Sequence, residues 1–104
     1  MERLAFRMRL KKGAASEYRR RHDQIWPELV QLLREAGISD YSIFLDAESD
    51  TLFAFQRVSG GGGSQNLGRN PVVRRWWDYM ADLMEVNDDN SPVSACLTEV
   101  FRLD

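Results

Sequence analysis

ISDYSIFLDAESDTLFAFQRV, residues 38–58, decides the fold. Tyr41, Ile43 and Leu45 fall on one face of a strand over 38–46; Phe53 and Phe55 share a face of a second over 51–58, opposite Leu52 and Ala54. Side chains alternate across a strand with period two, so both runs read as strands. The link Ala47-Glu48-Ser49-Asp50 is short and polar, which suits an antiparallel hairpin.

Helical patterns flank the hairpin. Before it, Tyr18, His22, Ile25, Leu29, Leu32 and Ala36 are spaced by three or four within residues 14–36, which puts them on one helical stripe. Pro27 lacks a backbone donor and disfavours helical geometry at Trp26, so a kink or break is expected there, with Gly37 as the C-terminal cap. After the hairpin, Asn70 and Pro71 make a helix start, followed at helical spacing by Val72, Val73, Trp76, Trp77, Met80, Leu83 and Met84. Between them, residues 59–69 hold five of the seven glycines. Glycine is costly to order and brings no side chain, so a flexible loop with no packed element at Gly60–Gly63 is expected.

Two strands close the pattern. Leu4, Phe6, Met8 and Leu10 alternate with Arg3, Arg7 and Arg9, and 95–103 places Leu97, Phe101 and Leu103 on one face. The order β-α-β-β-α-β predicts a single α+β domain over 1–104, a ferredoxin-like split βαβ with a four-stranded antiparallel sheet. Helices cover one sheet face. The strands carry apolar side chains on both faces, and an exposed apolar face usually finds a partner, so a homodimer is expected in which two sheets build a shared α+β barrel.

Composition agrees with one small globular domain. A chain of 104 residues buries roughly two-thirds of its unfolded surface, enough for a core without staples. Its 43% apolar and 29% charged residues are ordinary for a globular chain. A net charge of -2 gives no footprint for nucleic acid. One cysteine, Cys96, makes no internal disulfide or thiolate cluster, which suits a reducing, cytoplasmic setting. No apolar run is long enough to span a membrane, and the charged N-terminal stretch is no signal peptide.

The chemistry-bearing residues are few. His22 is the single histidine; it lies on the inward stripe one turn after Tyr18, and imidazole gives and takes protons near neutral pH. Tyr41 opens the second strand and in a pocket would offer a hydroxyl to a hydroxylated ligand. Trp76 and Trp77 point about 100° apart, so one is expected in the core and the other at a cleft, where flat indole suits a sugar face. Arg19-Arg20-Arg21 reads as a solvated face. Asp88-Asp89 is weak as a calcium site. No P-loop, GxGxxG, HExxH or GxSxG occurs, so no metal or cofactor is expected.

Three runs resemble the L-rhamnose mutarotases: Glu17-Tyr18-Arg19-Arg20-Arg21-His22-Asp23-Gln24-Ile25-Trp26-Pro27-Glu28-Leu29; Arg74-Arg75-Trp76-Trp77-Asp78-Tyr79-Met80-Ala81-Asp82; and Asp89-Asn90-Ser91-Pro92-Val93-Ser94 with Thr98-Glu99-Val100-Phe101. The departure lies at Ser59–Arg69, where the family carries a charged, partly helical segment and this chain carries glycines. The resemblance implies a dimeric α+β barrel that interconverts the anomers of L-rhamnose without a cofactor. It implies His22 as the catalytic proton donor, with Tyr18, Tyr41, Trp76 and Trp77 binding the sugar. In the expected mechanism the His22 imidazolium protonates the ring oxygen while Tyr18, Tyr41 or a water relays the anomeric proton. Two other readings fit the same architecture: a non-catalytic small-molecule-binding module, and a cofactor-free monooxygenase.

Overall fold

β1 (Glu2–Arg9), β2 (Ile38–Asp46), β3 (Thr51–Val58) and β4 (Ala95–Cys96) make one antiparallel sheet in the order β2-β3-β1-β4. The computed structural model describes residues 2–60 and 62–104. The hairpin is as expected, both strands ending where the alternation ends, and the sheet order is that of a split βαβ fold. In the β1–β3 register Phe6 opposes Ala54 and Met8 opposes Leu52, all buried on the helix-covered face. Ile43 and Leu45 of β2 oppose Ala54 and Leu52.

Pro27 produces a full break. α1 (Ala15–Asp23) and α2 (Pro27–Glu35) are separate helices, with Trp26 extended at ψ 128° and Pro27 in the first turn of α2. The order is therefore β-α-α-β-β-α-β. Gly37 has φ +84°, and a Cβ there would lie 2.5 Å from the Ser59 carbonyl oxygen, so only glycine fits the turn into β2. α3 (Pro71–Met80) starts as expected: the Asn70 side chain accepts a hydrogen bond from the Val72 N–H at 2.9 Å. It ends earlier than its apolar spacing suggests, passing into a 3₁₀ turn at Ala81–Leu83.

Two expectations are corrected. The glycine-rich segment is packed in its second half: Gly63 and Ser64 are buried, and Ser64–Asn66 is a 3₁₀ turn. Gly61, within the expected loop, lies outside the described residues. The closing strand over 95–103 is reduced to Ala95–Cys96, with the Leu97 N–H bonding the Ala5 carbonyl as it leaves the sheet. Leu97, Phe101 and Leu103 do not form a buried face; Phe101 and Leu103 are 78% and 85% exposed. Alternation marks an ability to pair, but the chain offers this tail no surface to cover it. The uncovered sheet face likewise exposes Phe44 and Phe55, edge to face with ring centres 5.9 Å apart.

Candidate active site

The broken helix shapes the site. Tyr18 and His22 sit one turn apart on α1, so both project towards the sheet. The His22 Nδ1–H donates to the Tyr18 carbonyl oxygen at 3.1 Å, and the two rings lie 4.4 Å apart. Holding Nδ1 this way leaves Nε2 as the nitrogen free to exchange a proton. Burial pulls the His22 pKa below its ordinary 6.5, partly offset by that carbonyl and by Asp23.

A cavity of about 1070 Å³ opens between the helices and the sheet. Its wall carries every expected site residue: Tyr18 and His22 from α1, Tyr41 from β2, and Trp76 and Trp77 from α3. Tyr41 lies within β2, not at its end. A bulge between Ser39 and Ser42, with Asp40 at φ +50°, lets both Ile38 and Tyr41 turn towards the helices. Burial raises the pKa of Tyr41, moderated by Ser64 and Gln56, and that of Tyr18, with Tyr41 adding to the rise. Both phenols thus keep their protons and can donate.

The two tryptophans do not divide between core and cleft: Trp76 and Trp77 are 8% and 6% exposed, and both reach the cavity wall. Trp76 meets His22 edge to face with ring centres 5.4 Å apart. Gly68 lies against the six-membered ring of Trp77, where a Cβ would come within 2.8 Å. The glycine-rich segment is thus pressed onto Trp77 because one of its glycines has no side chain to hold it off.

Sequence reasoning missed four contributors. Trp26, freed by the break before Pro27, packs on Trp76 at 5.1 Å and Tyr79 at 5.7 Å and braces the indole wall. Gln56 and Ser64 bond each other and, through Ser64, Tyr41. The one available signal was a glutamine on the buried alternation of Leu52, Ala54 and Val58. The arginine run is not wholly a solvated face either. Arg21, its side chain 12% exposed, pairs with Glu17 and Asp82 and stacks over Tyr79 at 4.5 Å. Arg20 and Arg21 together hold Glu17 at a pKa of about 2.

Among the described residues no cluster of three metal-ligating side chains occurs, and Asp89 is engaged by Ser91. No helix of the described residues is long and apolar enough to cross a membrane. The wall combines an imidazole that can shuttle one proton, phenols that donate, and flat indole surface. Such a set can bind a polyhydroxylated ring and move protons between its oxygens.

Comparison with known proteins gives the same chemistry a family. The family model for L-rhamnose mutarotase matches residues 3–103. An L-rhamnose mutarotase of Formosa agariphila is 62% identical over the whole of both chains, and one of Bacteroides thetaiotaomicron is 60% identical over the whole of both. The crystal structure of an L-rhamnose mutarotase from Formosa agariphila superposes with a TM-score of 0.92 at 57% identity, covering 100% of each chain. A structure from Mycobacterium tuberculosis, 14% identical with a TM-score of 0.58 over 98% of this chain and 97% of its own, shares the fold alone.

Proposed function

This chain belongs to the L-rhamnose mutarotase family and is a carbohydrate isomerase that interconverts the anomers of L-rhamnose; on that premise we propose how its cavity does so. Relatives at 62% and 60% identity are mutarotases, which supports this reading over a non-catalytic binding module or a monooxygenase.

Anomers exchange through the open chain. The ring oxygen gains a proton as its bond to C1 breaks, and the anomeric hydroxyl loses one as the aldehyde forms. The aldehyde rotates about C1–C2, and the reverse steps close the ring on its other face. His22 acts at the ring oxygen, the reacting oxygen that both anomers present in nearly the same place. In the imidazolium form its Nε2–H gives the proton at opening, and Nε2 takes it back at closure. The anomeric hydroxyl changes face, so its proton passes to an adaptable partner: a water held by the Tyr18 or Tyr41 hydroxyl. Trp76 and Trp77 hold the sugar ring and its 6-methyl. A positioned acid–base pair accelerates such a step by about 10²–10⁴-fold, or ~3–5 kcal/mol. Mutarotation is spontaneous, so that gain is sufficient.

The observation that supports this assignment is the pinned Nδ1 of His22 within a cavity walled by phenol and indole. Saturation-difference NMR between the two L-rhamnose anomers, with L-fucose and D-ribose as comparison sugars, tests it. Enhanced exchange strongest for L-rhamnose is expected; none above the spontaneous rate rejects it.

The working unit is a homodimer in the cytoplasm. The exposed face at Phe44 and Phe55 and the uncovered tail at Val100, Phe101 and Leu103 supply apolar surface for a second sheet to cover. The unbridged Cys96 suits a reducing compartment. Sedimentation at micromolar concentration should give a dimer, and monomer alone would overturn the assembly.

A further inference from the structure

We propose that Gln56 and Ser64 are positioning residues that set the direction of the Tyr41 phenol hydrogen, making Tyr41 a hydrogen-bond donor into the sugar cavity. The inference rests on the sugar-binding role given to that cavity above. Gln56 is 2% exposed on the helix-covered face of β3, between Ala54 and Val58. A buried amide there must be bonded on both sides, and its partners are on Ser64.

The chain of donors has one direction. A backbone N–H can only donate, so the Ser64 N–H, 2.8 Å from Gln56 Oε1, fixes which amide atom is the oxygen. The Gln56 nitrogen then faces Ser64 Oγ at 3.0 Å and donates to it. Gln65 Nε2 is also placed to donate to that oxygen, at 3.4 Å. With its acceptor capacity taken, the Ser64 hydroxyl turns its own hydrogen to Tyr41 Oη, 3.4 Å away. The Tyr41 oxygen therefore receives from the protein, and its hydrogen is left for the cavity it lines. The sugar atom that meets Tyr41 is an oxygen offering a lone pair.

The glycine-rich segment makes this contact possible. A Cβ on Gly63 would lie 2.5 Å from Gln56 Oε1 and 2.9 Å from Leu4 Cδ1. Only a residue without a side chain lets the backbone bring Ser64 against Gln56. The glycine-rich segment is thus the one that orients a wall residue of the site.

Gln56→Glu tests the direction. As a carboxylate, Glu accepts from both the Ser64 N–H and the Ser64 hydroxyl, which frees a Ser64 lone pair to draw the Tyr41 hydrogen out of the cavity. As a carboxylic acid, it donates to Ser64 Oγ as the amide does. The KM for L-rhamnose, variant over wild type at the same pH, should rise from near unity at low pH to about tenfold at high pH, with kcat changed far less. A ratio that stays flat overturns the proposal. Ser64→Ala covers a variant that does not fold: it should raise KM several-fold alone and add nothing in a Tyr41→Phe background, whereas an unchanged KM or a full additive effect overturns it. Failure of the mutarotase reading looks different, since the wild type would then show no exchange.

Discussion

His22 is tied to Tyr18 twice, by the Nδ1 hydrogen bond to the Tyr18 carbonyl at 3.1 Å and by a ring–ring contact at 4.4 Å. Both ties follow from the position of Tyr18 one helical turn earlier. Together they fix the imidazole plane, and so the nitrogen that faces the reaction, before any sugar arrives.

Replacing His22 by Gln should therefore remove catalysis without removing the fold. Anomer exchange is expected to drop about 10²–10⁴-fold, to the spontaneous rate, with far-UV circular dichroism and thermal midpoint close to wild type. Full exchange by the variant would reject His22 as the proton carrier.

The pH profile follows from the lowered His22 pKa. Ring opening uses the protonated imidazole, so kcat/KM should fall as pH rises, with an apparent pKa below the ordinary 6.5. A profile that climbs through this range would instead make neutral His22 the base on the anomeric hydroxyl.

The same shift has a stability consequence. The unfolded chain, with the ordinary histidine pKa of 6.5, binds the proton more readily than the folded chain. Stability contributed by neutral His22 is whole above that value and is lost as pH falls through the folded pKa. Urea denaturation should show a stability slope over this window, and His22→Gln should flatten it.

Tyr18→Phe removes one hydroxyl from the cavity and leaves the buried ring in place. We expect KM to rise several-fold, of the order of one neutral hydrogen bond, and kcat to change less. A loss confined to kcat would give Tyr18 a role in proton transfer instead.

Gly63→Ala should destabilise the fold by about 1–3 kcal/mol through the clash with Gln56 and Leu4. Thermal unfolding would show a lowered midpoint. An unchanged midpoint would mean the segment relaxes away from β3 at no cost.

Much was legible in the sequence because the signals are local. Period-two alternation marked β2 and β3 to their ends, Pro27 marked the helix boundary, and Asn70-Pro71 marked the start of α3. His22 and Tyr18 could be paired because helical spacing alone puts them together. The runs that resemble the mutarotases carried the activity, and the family comparisons agree.

What those local patterns left open was decided by packing between distant segments. Whether residues 97–103 pair or hang free depends on a partner surface, and within one chain that surface ends at Leu97. The glycine-rich segment looked structureless because glycine has no preference of its own, yet its missing side chains let Ser64 reach Gln56 and let Gly68 lie on Trp77. The lowered pKa of His22 could not be read from its neighbours in sequence either. It follows from how much water the folded walls exclude, a property of the assembled cavity and of no segment alone.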